Sequence, residues 1–591
     1  MHRLTVQQLM EAQQVSDHDV DPVTGDIAFT WNATGEPSLY LLAEGADAPE
    51  PLIQGRGQFA AWAPEGQRFV FLRDEKGSEV DDVMLFDLRA RTQRNLTNDG
   101  YTYTWPRLDP NGKLTVLANR DGPFDPYELD PAPGEFRRLV VGERAASSLL
   151  ASPDGRYLGF FRIGTVDEQG NLQSTLHLFD RQTGLEQTLA TLGGDLFHAP
   201  WAWRTGVTVP QLCVPGDHGE YQDLLLVSVL GDSEWMELGE GDKSYPAWSP
   251  DGQRLAFLEE VDADRRLFVM DYQAGIRHDL SVGDGLHRQP LWAPNGESLT
   301  VIFESAAQPP DLWRVTLDGE RRQLTHGLPA AFPVDALTGS QHITYPTFDG
   351  RDIPGLLYLP REANGAAIVW VHGGPAACHR NGWYSEIQLL TSLGYTVLAP
   401  NMRGSSGYGK TFRDMSRLDW GGGELHDIGA ANDYLRTRGF RHIGILGGSL
   451  GGYLALMALT KQPDLWTAGA VLYPIASLLT LYQSTRPGDL RTYLEEHIGT
   501  PEANPPFFHD RSPVNFVGQV TAPLLLLQGA NDPRTPLSEA QSMAERLADA
   551  GKLHLLHVYP DEGHGFQRRA NREDALNRVL AFFNQHLNLQ G

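Results

Sequence analysis

The sequence is poor in cysteine, in positive charge and in long apolar runs. Its two cysteines, Cys213 and Cys378, lie too far apart for a disulfide framework or a metal-ligand spacing. Lys and Arg number 48 against 75 Asp and Glu, and the net charge of −27 disfavours nucleic acid and anionic membranes as partners. We therefore expect no metal, no other cofactor, no nucleic acid and no membrane among its partners.

Targeting signals are also lacking. The first ten residues contain no apolar core of signal-peptide length, and Leu4, Leu9 and Met10 instead indicate a short amphipathic helix. The most apolar stretch, Ile443 to Leu459, is interrupted by glycines and a serine, so it does not resemble a membrane span. These observations predict a cytoplasmic protein.

Glycine and proline are plentiful, with 62 and 39 residues in a chain of 591. So many turn formers argue against a helix bundle, and the 41% hydrophobic content argues against wholesale disorder. One phrase recurs in the first half: an apolar or Trp residue, Pro, then Asp, Asn or Glu before Gly, and an alternating β-run. Three clear copies are Trp62-Ala63-Pro64-Glu65-Gly66, Trp248-Ser249-Pro250-Asp251-Gly252 and Trp292-Ala293-Pro294-Asn295-Gly296.

This phrase predicts β-hairpins, because Pro presets the turn and Gly supplies its left-handed position. Successive copies are about 40–50 residues apart, a period typical of propeller blades. A degenerate copy near Trp203 fills the one double gap. We predict a seven-bladed β-propeller, and the regular period argues against the alternative, one large β-sandwich. The turn prolines are Pro22, Pro64, Pro110, Pro153, Pro250 and Pro294.

The pattern changes after about residue 335. Short apolar runs such as Ala366 to Val371 and Leu524 to Leu527 alternate with helical stretches, as in a parallel sheet buried on both faces. The predicted organisation is a helical segment over residues 1–18, the propeller over 19–335 and an α/β domain with a doubly wound, mostly parallel sheet over 336–591.

A candidate nucleophile stands in Gly447-Gly448-Ser449-Leu450-Gly451. The motif directly follows a predicted strand and opens a predicted helix, which is the context that the G-x-S-x-G elbow requires. Glycines are needed there because the strained turn leaves no room for Cβ atoms. We therefore predict that Ser449 projects from the strand's carboxyl end as a catalytic nucleophile.

A nucleophilic serine needs a base, and the base needs an orienting acid. In this fold the acid and the histidine follow the serine in that order, each beyond a strand, which selects Asp532 and His564. Asp561 and Glu562 are rival acids, but they stand too near His564 in sequence to reach its far nitrogen. His557 is a rival base, although its place within the last strand favours a packed or solvent-facing residue.

Two backbone N–H groups should stabilise the oxyanion. One is predicted to be the amide of Leu450, directly after the nucleophile, and the other the amide of Gly374 in the early loop His372-Gly373-Gly374-Pro375. A simple Gly-Pro turn is the alternative interpretation of that loop. The predicted triad disfavours this alternative.

Together these residues resemble the prolyl oligopeptidase family of serine peptidases, in which a β-propeller caps a C-terminal α/β-hydrolase domain. The His-Gly-Gly-Pro phrase and Asn531-Asp532-Pro533-Arg534-Thr535-Pro536 are most similar to the acylaminoacyl peptidase branch. Further matching phrases are the motif around Ser449, residues Asn401 to Gly409 and Gly563-His564-Gly565.

The resemblance implies roles in substrate binding. Arg534 would reach into the cleft and bind a peptide carbonyl or carboxylate, a rim salt bridge being the alternative. The pocket for the side chain before the scissile bond would be apolar, with Leu478, Leu481 and Tyr482. Dipeptidyl peptidases of the family grip a free amino terminus with paired glutamates ahead of a blade turn, whereas Glu259-Glu260 lies after its turn and is expected to face solvent.

The resemblance thus implies a serine peptidase that releases N-acylated amino acids from short blocked peptides and forms a homo-oligomer. A carboxypeptidase or broad oligopeptidase is the rival of the same class, if several arginines face the cleft. A non-catalytic propeller scaffold is the rival of another class, which a complete triad disfavours. The arginines that would clamp a terminal carboxylate are Arg403, Arg486, Arg491 and Arg534.

Overall fold

A computed structural model describes most of the chain in two domains. The described residues are 3–55, 57–74, 80–109, 112–131, 134–166, 172–194, 200–374, 377–485 and 489–587. Within these ranges no helix is long and apolar enough to cross a membrane. The predicted helical segment at the start contains one short helix, α1 (Val6–Met10), and the first strand already begins at Val15.

The described part of the first half forms seven antiparallel four-stranded blades, which confirms the predicted propeller. Their strands are β1 (Val15–Val20), β2 (Ile27–Trp31), β3 (Ser38–Leu42), β4 (Glu50–Ile53); β5 (Gln58–Trp62), β6 (Arg68–Arg73), β7 (Asp82–Asp87), β8 (Thr92–Asn95); β9 (Tyr103–Leu108), β10 (Leu114–Ala118), β11 (Asp125–Asp130), β12 (Glu135–Arg138); β13 (Ala146–Ala151), β14 (Tyr157–Val166), β15 (Leu172–Asp180), β16 (Leu185–Gly193); β17 (Ala202–Arg204), β18 (Gln211–His218), β19 (Tyr221–Ser228), β20 (Ser233–Trp235); β21 (Lys243–Trp248), β22 (Arg254–Val261), β23 (Asp264–Asp271), β24 (Arg277–Asp279); β25 (Leu286–Trp292), β26 (Ser298–Ser305), β27 (Gln308–Thr316) and β28 (Arg321–Gln323).

The recurring phrase is the turn between the first two strands of a blade. In blade 6 the Gly252 N–H donates to the Ser249 carbonyl at 2.8 Å, and Gly252 has a φ of +67°. The Ser249 hydroxyl donates to Asp251 Oδ1 at 2.5 Å. Blade 4 repeats these bonds, whereas Pro110 of blade 3 lies outside the described residues. The glycine is required because the turn needs a left-handed residue there.

Blades 7 and 1 close the ring through side chains. His18 Nε2 lies 3.0 Å from the Thr300 hydroxyl, and Phe29 of blade 1 shares an apolar core with Ile302 and Leu312 of blade 7. Arg314 also pairs with Glu44 at 2.6 Å across the same junction. The first and last blades are therefore joined by packing and charge, as neighbouring blades elsewhere are joined by packed cores.

The second half is an α/β domain around one eight-stranded sheet of order β29-β30-β32-β31-β33-β34-β35-β36, parallel from β32 onward. Its elements are β29 (Gln341–Pro346), β30 (Asp352–Tyr358), β31 (Ala366–Val371), α2 (Ser385–Ser392), β32 (Thr396–Pro400), α3 (Lys410–Arg413), α4 (Gly423–Thr437), β33 (His442–Gly448), α5 (Leu450–Lys461), β34 (Ala468–Leu472), α6 (Leu478–Ser484), α7 (Asp489–Ile498), α8 (Pro505–Asp510), β35 (Leu524–Gly529), α9 (Leu537–Asp549), β36 (His554–Tyr559) and α10 (Arg569–Leu587).

Strand β35 shows why its apolar run is continuous. Leu524 and Leu526 pack into the core beneath α4, α5 and α9, while Leu525 and Leu527 pack into the core beneath α2 and α10. Successive side chains of a strand point to opposite faces, so a strand covered on both faces must be apolar at every position. The doubly wound sheet is thus confirmed, and its carboxyl edge is the expected place for a site.

Hairpin tips of blades 5, 6 and 7 bind the second domain. Glu220 accepts hydrogen bonds from the Thr411 amide and hydroxyl, and Asp217 pairs with Arg413 at 2.7 Å. Glu304 accepts the Trp383 amide at 2.9 Å. These contacts hold the propeller over the loops at one end of the hydrolase sheet.

The expectation that Glu259 and Glu260 face solvent is wrong. Both side chains are buried, and Glu260 binds Arg265 of its own blade and Arg380 of the hydrolase domain, the latter at 3.1 Å. Glu259 accepts from Arg277 at 3.0 Å. A strand end looks exposed in sequence, but here the neighbouring domain covers it.

Candidate active site

The nucleophile elbow forms as the motif predicts. Strand β33 ends at Gly448, Ser449 has φ 57° and ψ −126°, and α5 begins at Leu450. A Cβ at Gly447 would lie 2.2 Å from the Gly451 carbonyl oxygen, and one at Gly451 would lie 2.3 Å from the Val371 oxygen. Only glycine fits at these two positions, and the packed turn holds Ser449 in a strained conformation that projects its hydroxyl.

A continuous hydrogen-bond chain starts at that hydroxyl. His564 Nε2 lies 3.0 Å from Ser449 Oγ, and His564 Nδ1 lies 2.8 Å from Asp532 Oδ2. Asp532 follows β35 and His564 follows β36, so two neighbouring loops at the carboxyl edge of the sheet deliver the pair. The structure thus brings together the three residues that the sequence selected, within hydrogen-bond reach of each other.

Asp532 is held as a carboxylate in a buried place. Burial alone would raise its pKa, but hydrogen bonds from His564 and Thr535 outweigh burial, and the pKa is lowered. Thr535 donates both its amide and its hydroxyl to Asp532 at 2.8 Å, and the Arg534 amide donates at 2.8 Å. An anionic Asp532 fixes the His564 tautomer with the proton on Nδ1, which leaves Nε2 as the acceptor facing Ser449.

Thr535 and Tyr473 complete the site, although they had no predicted role. The Tyr473 ring packs on His564 with 4.9 Å between centroids and covers the imidazole. The available signal for Thr535 was its place three residues after Asp532, a spacing at which side-chain and backbone groups meet in a turn. Nothing comparable marked Tyr473, because its contact arises from a different strand.

The rival acids and base lie elsewhere. Glu562 accepts the amides of Gln567 and Arg568, and Asp561 pairs with Arg568 at 3.0 Å. His557 is about a third exposed, with Asp574 at 3.7 Å as its charged neighbour. These contacts engage all three side chains with partners other than Ser449 and His564.

The two predicted oxyanion donors are the amide directly after Ser449 and an amide of the loop that follows β31. A Cβ at Gly373 would lie 3.5 Å from Ser449 Cβ, so the loop carrying Gly374 packs directly on the elbow. Among the described residues, no acceptor takes the amide of Gly374 or of Leu450. Leu450 also stands at a helix N-terminus, where the helix dipole favours negative charge.

The chain is similar to several known peptidases. Residues 382–590 match the model of the prolyl oligopeptidase family. Dipeptidyl aminopeptidase BIII of Pseudoxanthomonas mexicana is 34% identical over 253 residues, which cover 40% of this chain but only 36% of that enzyme. The uncharacterized peptidase YuxL of Bacillus subtilis (strain 168) is 24% identical over 93% of both chains. Over residues 382–590 the chain thus matches the prolyl oligopeptidase family.

Two further similarities concern the branch and the fold. The acylamino-acid-releasing enzyme of Homo sapiens is 23% identical over 365 residues, which cover 58% of this chain and 50% of that enzyme. The structure of a Mycobacterium tuberculosis puromycin-hydrolyzing peptidase superposes with a TM-score of 0.86 at 21% identity, covering 99% of this chain and 96% of that one. The latter confirms the shared fold of propeller and hydrolase.

The three residues predicted to line an open substrate pocket are buried. Leu478 and Leu481 are 0% and 3% exposed and belong, with Tyr482, to the core beneath α5. The Tyr482 hydroxyl donates to Glu495 at 2.8 Å. Helix α6 turns this apolar face inward, so none of the three side chains lines an open cleft; Leu479 and Thr480 are on its outer face.

The predicted arginine clamp is also incomplete. Arg403 is 8% exposed and bound by Asp427 at 2.8 Å and Asp349 at 3.2 Å. Arg491 donates to the Thr485 carbonyl and stacks on Tyr482. Arg486 lies outside the described residues. Arg534 alone is exposed beside the site, on the loop of Asp532. Within the described part of the chain no group of three His, Cys, Asp or Glu is placed to hold a metal ion.

Proposed function

We propose that this protein cleaves short peptides by acyl transfer, with Ser449 as nucleophile, His564 as base and Asp532 as the group that orients it. The observation that carries the proposal is the unbroken chain of 3.0 Å and 2.8 Å contacts from Ser449 through His564 to Asp532. This arrangement is the one that activates a serine hydroxyl, which is a weak nucleophile unless a neighbouring base accepts its proton.

The steps follow from the geometry. Ser449 Oγ attacks the peptide carbonyl carbon while His564 Nε2 takes the hydroxyl proton. The carbonyl oxygen becomes an oxyanion that accepts from the amides of Leu450 and Gly374. When the C–N bond breaks, His564 returns the proton to the leaving amine and an acyl-enzyme remains. Water then attacks the ester carbonyl, again with His564 as base, and releases the acid and Ser449.

Blocked short peptides are the proposed substrates, and the products would be N-acylated amino acids. Glu259 and Glu260 support this choice, because their carboxylates are occupied by arginines and offer no free acid to a substrate's amino group. The similarity to an acylamino-acid-releasing enzyme points in the same direction. The propeller contacts over the hydrolase loops favour substrates that are short or unfolded.

A carboxypeptidase or broad oligopeptidase is the second candidate. The exposed Arg534 favours it, since a guanidinium on the loop of Asp532 would suit a terminal carboxylate. Cleavage of one peptide sequence in three forms, acetylated, free and amidated at its ends, separates the candidates. Preference for the acetylated form supports the acylaminoacyl assignment, loss of cleavage on amidation supports a carboxypeptidase, and equal cleavage supports a broad oligopeptidase.

The chemistry itself is tested by covalent labelling with a fluorophosphonate. We expect the wild-type protein to be labelled at Ser449, Ser449→Ala to lose both label and peptide cleavage, and His564→Gln to lose nearly all of both. His557→Gln is the matched control, a histidine on the adjoining strand that should keep both. A wild-type protein that neither reacts nor cleaves any of the three peptides would support the scaffold alternative and reject the proposal.

A further inference from the structure

The loop that carries His564 has little stiffness of its own. Glycines flank the histidine at 563 and 565, and Gly565 has a φ of +87°. A Cβ at Gly565 would meet nothing within 4 Å, so close packing does not hold the chain there. Because glycine is the most freely rotating residue, a histidine between two glycines needs a restraint from outside them. The proposed mechanism nevertheless requires His564 to stay within hydrogen-bond distance of both Asp532 and Ser449.

Glu562 closes this loop with its side chain. The residue is 1% exposed, and its carboxylate accepts the Gln567 amide at 3.0 Å and the Arg568 amide at 2.8 Å. Asn571, in the first turn of α10, adds its side-chain amide at 2.9 Å. The carboxylate thus ties the chain just before His564 to the chain just after it, beside a helix N-terminus that favours negative charge.

The backbone of Glu562 binds the neighbouring loop, which carries Asp532. Its carbonyl accepts the Asn531 amide at 2.9 Å. The two loops pack so closely there that a Cβ at Gly529 would lie 2.7 Å from this carbonyl oxygen and 2.2 Å from that of Gly563. One buried residue therefore contacts the loops of both members of the acid–base pair.

The carboxylate of Glu562 acts through geometry and not through proton transfer. Its three donors are two backbone amides and one side-chain amide, and amides keep their protons throughout the pH range in which proteins stay folded. The proposed mechanism does not use this carboxylate. Its hydrogen bonds span the segment in which His564 stands, so they restrain the position of the imidazole.

We propose that Glu562 is a positioning residue that closes the His564 loop against the Asp532 loop and so holds His564 between Asp532 and Ser449. The proposal rests on the proposed acyl-transfer function. It gives a residue that rivals Asp532 in the sequence the part of placing the base. Because Glu562 acts without contact to the substrate, its loss should lower kcat much more than it changes KM.

The test compares Glu562→Ala and Glu562→Gln with the wild-type protein on a peptide that the wild type cleaves. Without the carboxylate the two ends of the loop are released, and a displacement of about 1 Å at a reacting group costs roughly 10²-fold in rate. We expect kcat and the rate of fluorophosphonate labelling at Ser449 to fall in parallel by about that factor. Gln keeps one acceptor oxygen for the Arg568 amide, so it should recover part of both.

A spectroscopic readout follows the restrained contact directly. A proton held between an imidazole nitrogen and a carboxylate is strongly deshielded. The proton between His564 Nδ1 and Asp532 should therefore give a proton NMR signal far downfield of the amide signals, and Asp532→Asn, which should lack it, is the reference. We expect the signal to be lost or broadened in Glu562→Ala and less affected in Glu562→Gln.

Asp311→Ala is the matched control. Asp311 of blade 7 is also 1% exposed, and its carboxylate also accepts three donors. They are the Gly327 amide at 3.1 Å, the Thr325 hydroxyl at 2.7 Å and the Gln323 side-chain amide at 3.0 Å. Its replacement should lower thermal stability while leaving kcat, the labelling rate and the downfield signal at their wild-type values. It separates the general cost of losing a buried, bonded carboxylate from the loss of a positioned base.

The outcomes distinguish the two proposals. If the wild-type protein cleaves peptide and Glu562→Ala has the kcat and labelling rate of Asp311→Ala, the inference about Glu562 is overturned while the function stands. A lower kcat with the downfield signal intact overturns it too, because the loss would then not arise at the His564–Asp532 contact. If Glu562→Ala does not fold, Glu562→Gln decides, and a wild-type kcat and signal in that variant overturn the inference. A wild-type protein that neither reacts with a fluorophosphonate nor cleaves peptide refutes the proposed function instead.

Discussion

Two buried carboxylates, one in each domain, show how the same kind of group serves different ends. Asp532 and Glu260 are each 5% exposed, and both have a lowered pKa although burial would raise it. Asp532 is stabilised by His564 and Thr535, whereas Glu260 is stabilised by the charges of Arg265 and Arg380. The partners differ in whether they can exchange a proton.

That difference gives the two carboxylates different roles: Asp532 serves the proposed chemistry, and Glu260 joins the two domains. In the proposed mechanism His564 takes and returns the proton of Ser449, so its bond to Asp532 changes strength during the reaction. Arginines stay charged, so Glu260 holds one fixed arrangement of two domains. The hydrolase domain therefore places Asp532 beside a histidine and a threonine, whereas the propeller contributes a carboxylate that is paired with two arginines.

The largest expected effect comes from breaking the contact between Asp532 and His564. In Asp532→Asn the amide N–H₂ would face His564 Nδ1, which forces the proton onto Nε2 and removes the acceptor from Ser449. We expect kcat to fall about 10⁴-fold with the fold retained. Steady-state kinetics and fluorophosphonate labelling measure it.

Asp561→Asn is the control for that variant, since Asp561 binds Arg568 and lies on the loop that carries His564. It should keep kcat close to the wild-type value. Equal losses in the two variants would show that Asp532 has no special part in orienting His564.

A smaller effect is expected from breaking the contacts of Glu260 with Arg265 and Arg380. Glu260→Gln leaves the partly buried Arg265 and Arg380 without their counter-ion, which should lower the free energy of unfolding by up to about 3–5 kcal/mol. Denaturant unfolding measures it. Because the pKa of Glu260 is lowered on folding, its contribution is present above its ordinary value of 4.5 and is lost as pH falls through the lower folded value.

The matched control is Glu65→Gln, which breaks the exposed Arg68–Glu65 pair. Exposed pairs contribute roughly 0–1 kcal/mol, so this variant should unfold almost as the wild type does. If the two variants unfold at the same denaturant concentration, Glu260 does not hold the domains together.

The sequence predicted the parts of the molecule that depend on local patterns. The blade turns follow from Pro and Gly at fixed offsets, as in Ser249 to Gly252, and the double covering of β35 follows from its uninterrupted leucines. Ser449, Asp532 and His564 could be selected because the fold fixes their order and places each beyond a strand. These features need no knowledge of which distant segments touch.

Features that depend on packing between distant segments escaped prediction. Glu260 is buried because another domain covers a hairpin tip, and Arg403 is unavailable because Asp349 and Asp427 hold it. The sequence alone allows Leu478 to be either a pocket residue or a core residue, and only the position of α6 decides between them. In each case the local sequence permits two environments, and only the tertiary contacts select one.

A third carboxylate, that of Glu424, extends the comparison. It is buried without a histidine partner like that of Asp532 or arginine partners like those of Glu260. Glu424, in the first turn of α4, accepts the Gly421 amide at 2.8 Å. Burial raises its pKa to about 8, Asp419 and Asp427 add to the rise, and Arg511 opposes it. Glu424 is therefore neutral in the folded protein near neutral pH, where the unfolded chain ionises it. Its contribution to stability is complete below pH 4.5 and is lost as pH rises toward about 8.

Glu424→Gln is neutral at every pH and keeps an acceptor for Gly421, so it should lack this pH dependence. We expect the unfolding free energy of the wild type, relative to this variant, to fall by at most roughly 1.4 kcal/mol per pH unit across that window. Glu545→Gln, at an exposed position of α9, should follow the wild type throughout. A constant difference between wild type and Glu424→Gln from pH 5 to about pH 8 would mean that Glu424 stays ionised on folding. Burial without a cation or a histidine would then be insufficient to neutralise a carboxyl in this domain.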